Sequence, residues 1–205
     1  EVDFGETHVI RSHGVEQTVI HDCENKEVCY VDATCPFVSK IHKIVAQKSK
    51  DGYVTIIAGD KNHQEVKGIV GHTFGEVYVV ANEEELQNLV KFKENFGAKK
   101  VIMVSQTTFN AKIWEKLQLF LKKVCTNAEI FDTICNATAM RQQEAHELSK
   151  QSDAVIVIGG RHSSNTAKLF TVCKANCEKT YLIETADELP IDSLLGCDEI
   201  GVVAG

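Results

Sequence analysis

Two cysteines stand where thiol chemistry is best supported: Cys35, closing Asp32-Ala33-Thr34-Cys35, and Cys135, closing Asp132-Thr133-Ile134-Cys135. Each follows a β-branched run and opens a helical pattern. There the positive end of a helix dipole favours the thiolate, the form that binds soft metals and attacks disulfides. A second cluster, Ser163-Ser164-Asn165, lies between the glycine-ended run Ala154–Gly160 and a helical stretch. Hydroxyl, amide and free backbone N–H donors at such a junction suit a phosphate group, and they equally suit plain helix capping. His63 and Glu65 flank Gln64 at the corresponding point of the preceding segment. Side by side they offer a hydrogen-bond donor and a proton carrier, while the helix dipole alone would account for an ionised Glu65. Gln106-Thr107-Thr108 and Ser12-His13-Gly14 add polar side chains from similar positions.

The elements that must hold these residues alternate regularly. Strands are predicted over Val28–Val31, Tyr53–Ala58, Val77–Val80, Val101–Ser105, Glu129–Phe131, Ala154–Ile158, Tyr181–Glu184 and Glu199–Ala204. Helices are predicted near residues 37–50, 64–73, 83–95, 111–124, 138–151, 164–177 and 187–194. This alternation makes the fold class α/β: parallel βα units with helices on both sheet faces. In such sheets ligands bind beyond the carboxyl ends of the strands, where all the clusters above fall. His42, His72 and His146 lie on or near helical faces away from these ends and read as structural.

The alternation also repeats. Asp32 to Cys35 is answered by Asp132 to Cys135, Val54–Gly59 by Val155–Gly159, Asp60–Glu65 by Gly160–Asn165, and Val101–Gln106 by Ile200–Gly205. Each unit reads as a four-stranded array. The expected organisation is residues 1–31 as the tail of one unit, 32–131 as a central unit, and 132–205 as a unit cut short. A further unit upstream is expected on the same ground. With a cysteine from each of three units, a cubane iron–sulfur cluster would keep one iron open to a substrate; buried structural thiols remain the plainer reading. A tetrahedral zinc site fits less well, because tight ligand pairs are absent.

Composition narrows the partners. A net charge of −7 over 205 residues argues against broad nucleic-acid binding, and no apolar run approaches the length of a membrane span. Eight cysteines in a chain with ample core-forming segments suit reduced, mostly buried thiols in a reducing cytoplasm better than a disulfide framework.

Taken together, Ser12-His13-Gly14-Val15, Asp32-Ala33-Thr34-Cys35-Pro36, His63-Gln64-Glu65-Val66-Lys67-Gly68, Ser105-Gln106-Thr107-Thr108, Cys135-Asn136-Ala137-Thr138 with Arg141-Gln142-Gln143-Glu144, and Ser163-Ser164-Asn165 resemble, in order, the motifs of the 4-hydroxy-3-methylbut-2-enyl diphosphate reductase family. Gln64 departs from a common proline. The resemblance implies three pseudo-equivalent α/β domains, of which two are represented here, around a [4Fe–4S] cluster. It makes Cys35 and Cys135 two of three cluster ligands. His13, His63, Ser163, Ser164 and Asn165 become substrate-binding residues, Thr107 orients the substrate hydroxyl, and Glu65 supplies protons. The implied reaction is reductive dehydroxylation of an allylic diphosphate, with ferredoxin or flavodoxin as electron donor. Lacking a third cysteine ligand, the 205 residues alone are expected to hold no cluster and to be inactive. The competing classes are a non-catalytic module binding a phosphorylated ligand and a thiol redox protein using Cys35 and Cys135.

Overall fold

The computed structural model describes residues 7–92 and 96–205. Residues 1–6 of the expected N-terminal tail, and the last three positions of the helix expected over 83–95, lie outside the described residues. The chain divides into two compact units, one running to Thr107 and resuming over Lys112–Thr133, the other made of Thr108–Ala111 and Ile134–Gly205.

The first unit contains β1 (His8–Ile10), α1 (Gln17–Asn25), β2 (Tyr30–Asp32), α2 (Pro36–Lys50), β3 (Val54–Ala58), α3 (Gln64–Gly71), β4 (Val77–Val80), α4 (Glu83–Phe92), β5 (Val101–Ser105), α5 (Ala111–Val124) and β6 (Ala128–Ile130). Its main sheet is parallel, in the order β4-β3-β5-β6, and β1 and β2 form a separate parallel pair. All five residues of both β3 and β5 are buried. Successive side chains of a strand point to opposite faces, so burial of both Ile56 and Ile57 requires helices on both sides. One face carries a core of Ile41 and Val45 from α2, Ile57, Val66 and Ile69 from α3, Ile102 and Val104.

The second unit contains α6 (Asn136–Gln151), β7 (Ala154–Ile158), α7 (Ser164–Lys174), β8 (Thr180–Ile183), α8 (Ile191–Leu194) and β9 (Ile200–Ala204). Its parallel sheet runs β8-β7-β9, the same arrangement as β4-β3-β5. It has three strands where the main sheet of the first unit has four. Its core joins Ala145, Val155, Val157, Leu169, Cys173 and Cys177.

Two helices differ from expectation. The one expected to reach residue 177 ends at Lys174, where Asn176 turns its side-chain amide back onto the Val172 carbonyl at 2.8 Å. Cys177 therefore sits in the turn beyond it. The helix expected over 187–194 splits into a 3-10 turn, Ala186–Glu188, and α8, because Pro190 forces Leu189 into an extended conformation. All eight cysteines are unpaired; Cys23, Cys125, Cys173 and Cys177 are buried, whereas Cys29 is exposed and Cys197 half-buried. No described helix is long and apolar enough to cross a membrane.

The central position of Ile57 sets the expected cost of disturbing this core. Ile57→Ala should destabilise the chain by about 2–5 kcal/mol, the range for deleting a fully buried branched side chain, read as a lower urea midpoint at unchanged slope.

Candidate functional site

Parallel pairing sets the tips of β3 and β5 level, with Ala58 opposite Ser105, so the loops that follow emerge side by side. After β3 the chain passes Gly59, where a Cβ would come within 2.7 Å of Val66 Cγ2 and 3.3 Å of Gln106 Cβ. Only glycine allows that approach. Asp60 N–H then donates to Gln106 Oε1 at 3.2 Å, and the loop closes into α3 with His63 as its N-cap. His63 Nδ1 accepts from Glu65 N–H at 3.2 Å. A neutral imidazole that accepts at Nδ1 carries its proton on Nε2.

Glu65, one residue inside α3, is 1% exposed. One carboxyl oxygen accepts from the Thr107 backbone N–H at 2.6 Å and the other from the Thr107 hydroxyl at 2.8 Å. Burial pushes its carboxyl above the ordinary carboxylate range, even though both Thr107 bonds and the charge of His13 pull it down. The result is an acid that holds its proton longer than an exposed glutamate while remaining fixed in place. His13 meets His63 edge to face, ring centres 5.4 Å apart at 75°. The first unit thus brings four expected residues together: His13, His63, Glu65 and Thr107.

The β5 tip has its own support. Thr133 Oγ1 accepts from Ser105 N–H at 2.7 Å and donates to the Ser105 carbonyl at 2.8 Å, fixing the chain two residues before Cys135. Cys35 and Cys135 are the N-caps of α2 and α6, with nearly the same backbone angles (φ −55°, ψ 134° and φ −63°, ψ 128°). Neither thiol caps its helix, and both are half-buried. Cys35 lies in the first unit and Cys135 in the second. Among the described residues no group of three or more His, Cys, Asp or Glu side chains is arranged to hold a metal ion.

In the second unit Ser163 caps α7, its hydroxyl accepting from Thr166 N–H at 3.3 Å. The Ser164 hydroxyl meets Thr108 Oγ1 at 2.8 Å. Asn165 buries its Oδ1 with no partner. Such an atom costs stability unless a ligand answers it, which capping alone does not explain. Sequence reasoning counted Thr108 only as one more polar strand-tip residue and assigned no role to Gln142, which accepts from Ala111 N–H at 3.0 Å and donates to the Phe109 carbonyl at 3.1 Å. Gln142 braces the segment carrying Thr108. Its signal was its place within Arg141-Gln142-Gln143-Glu144, on the helix that Cys135 opens.

A family model described as "LytB protein" matches residues 1–205. The chain is a member of the LytB family. Among LytB relatives, a 4-hydroxy-3-methylbut-2-enyl diphosphate reductase of Caldanaerobacter subterraneus subsp. tengcongensis is 45% identical over 98% of this chain and 68% of its own length. One from Campylobacter jejuni subsp. doylei is 40% identical over 96% of this chain and 69% of its own length. Among solved structures, the (E)-1-hydroxy-2-methyl-but-2-enyl-4-diphosphate reductase of Plasmodium falciparum aligns at a TM-score of 0.90 and 28% identity, covering 98% of this chain and 63% of that one. A second, titled (E)-4-hydroxy-3-methyl-but-2-enyl diphosphate reductase, the terminal enzyme of the non-mevalonate pathway, aligns at 0.61 and 34%, covering 98% and 70%. The LytB fold is therefore present across the matched length.

The raised Glu65 carboxyl fixes the sign of a pH effect. Folded Glu65 keeps its proton above the ordinary value of 4.5, so the folded state binds more protons there than the unfolded chain. Its contribution to stability is complete below that value and is lost as pH rises through the folded one. Glu65→Gln should flatten this part of the stability–pH curve, measured by urea unfolding of both proteins at a series of pH values.

Proposed function

We propose that this chain belongs to an enzyme for the reductive dehydroxylation of (E)-4-hydroxy-3-methylbut-2-enyl diphosphate to isopentenyl and dimethylallyl diphosphate, the last step of the non-mevalonate isoprenoid pathway, and that the 205 residues alone, with two of the three cluster ligands, are inactive. As a LytB member 45% identical to a reductase of that name, it is an oxidoreductase. The observation that carries the detailed reading is Glu65, a buried acid held by two donors of one residue beside a pair of imidazoles.

The reaction breaks one allylic C–O bond, consumes two electrons and two protons, and releases water. Glu65 is the proposed proton source for the departing hydroxyl, and its burial raises its carboxyl above the ordinary carboxylate range. Thr107 fixes the carboxyl through backbone and hydroxyl alike, and we assign it the orientation of the substrate hydroxyl. His13 and His63 present imidazole donors to the diphosphate from the first unit. Ser163, Ser164 and Asn165 are assigned, on their own unit, to phosphate binding at the start of α7, where free N–H groups favour an anion. The low exposure of Glu65 and Thr107 keeps bulk water from competing for the proton.

Cys35 and Cys135 fit two positions of a [4Fe–4S] ligand set: both are unpaired, half-buried, free of capping duty and placed alike at helix starts. When bound, such a cluster supplies the electrons and a Lewis-acidic iron. A ferredoxin or flavodoxin is the proposed source of those electrons. We place the activity in the cytoplasm, where eight unpaired thiols persist.

Two measurements test the assignments. Glu65→Gln in the full-length, cluster-loaded enzyme should lower turnover by about 10²–10⁴-fold, with iron content and substrate-analogue affinity retained. Near-normal turnover would remove Glu65 from the role. Alanine at Ser163, Ser164 or Asn165 should weaken binding of a diphosphate analogue by about 1.5–3 kcal/mol per lost charge-assisted bond. Unchanged affinity with a lower melting temperature would reduce these residues to helix caps.

A further inference from the structure

His13 stands on an exposed turn, yet the residues directly after it rest on two imidazoles that the proposed chemistry does not use. The turn closes through Gly14 N–H to the Arg11 carbonyl at 2.9 Å, with Gly14 at φ +69°. A Cβ there would lie 2.6 Å from His42 Cε1. His42 comes from α2, is 8% exposed, and stacks on His72 with ring centres 4.0 Å apart and planes 19° from parallel. His72 caps the far end of α3, and its Nε2 meets the Val15 carbonyl at 3.1 Å. A carbonyl only accepts, so His72 carries its proton on that nitrogen. The stack therefore supports Gly14 by contact and Val15 by a hydrogen bond.

The same helix that His72 caps begins with His63 and Glu65. It meets the turn through small residues: a Cβ on Gly68 would sit 3.4 Å from His42 Nε2 and 3.6 Å from the His13 carbonyl oxygen, and one on Gly71 would sit 2.5 Å from Glu16 Cβ. The turn is thus pressed onto α3 from His13 to Glu16, with the imidazole stack as its floor. We propose that His42 and His72 are positioning residues, holding His13 at the edge of the His63 ring so that the two imidazoles address the diphosphate together.

The burial of His42 agrees with a packing part rather than a charged one. Its Nε2 is buried without a partner, and burial followed by the neighbouring His72 pushes its pKa down to about 4, against the pull of Asp32. Asp32 and Lys43 are the charged residues lining the cleft of about 210 Å³ beside the stack. At neutral pH His42 is an uncharged ring, which two parallel imidazoles in contact require.

The inference rests on His13 binding the diphosphate, so the experiment separates the two. In the full-length, cluster-loaded enzyme, KM, kcat, iron content and melting temperature are measured for His42→Ala, His42→Phe, Gly14→Ala and His13→Asn. Calorimetric binding of inorganic pyrophosphate supplies a readout without turnover. His42→Ala should raise KM about tenfold with kcat and iron content little changed, and His42→Phe, which refills the stack, should bring KM back to within about threefold of the parent. Gly14→Ala, which pushes the ring aside, carries the same expectation if His42→Ala does not fold. A lower melting temperature with KM and pyrophosphate affinity unchanged, while His13→Asn raises KM, would overturn the positioning role and leave the binding role intact. Unchanged KM in His13→Asn itself would remove both.

Discussion

A carboxyl group taken out of water needs donors, and among the described residues those of Glu65 come from Thr107. Much of the first unit follows from that requirement. Thr107 lies two residues past β5 and Glu65 near the start of α3, so β3 and β5 must be neighbours with their tips level. The loop after β3 must then pass close over the β5 tip, which excludes a side chain at Gly59 and ties Asp60 to Gln106. Thr133 in turn keeps the end of β5 from moving. The acid is placed by backbone geometry, with side chains refining it.

The repeat shows how little of such a scaffold is committed to one chemistry. His63 and Ser163 occupy the same station, each an N-cap whose side chain accepts an N–H from the first turn of its helix. In the first unit that station introduces an imidazole and a buried acid. In the second it introduces hydroxyls and a carboxamide. Capping is satisfied in both, so the side chains were free to diverge in everything beyond their ability to accept one hydrogen bond. The cysteines did not diverge: Cys35 and Cys135 share residue type, backbone conformation and freedom from capping.

Legibility in the sequence followed locality. Val77–Val80, Val101–Ser105 and Ala154–Ile158 were readable to the residue, the latter two because central strands covered on both faces leave nearly continuous apolar runs. Strand-tip clusters were readable because each lies within a few residues of chain. The His42–His72 stack was not: the two rings are brought together by helix packing, and each alone resembles an ordinary helical histidine. Nor was the role of Gln142. The buried face of α6 is Thr138, Gln142, Ala145 and Ser149, a polar stripe that hydrophobic periodicity cannot distinguish from a solvated one. The end of α7 was misread because the helix stops at its C-cap Ala175, just before Asn176 donates its side-chain amide to the Val172 carbonyl.

The short excursion Thr108–Ala111 has a consequence for biosynthesis. It belongs to the second unit, although the chain on both sides of it belongs to the first. On a translating ribosome, the strands and helices of the first unit become available before α6 and α7 have been made, and domains generally fold as their segments emerge. The Glu65–Thr107 contact can therefore form while Phe109 and Ala111 still await Gln142, and Thr108 awaits Ser164, fifty-six positions further on. The nascent chain secures its acid first and completes its hydroxyl cluster last.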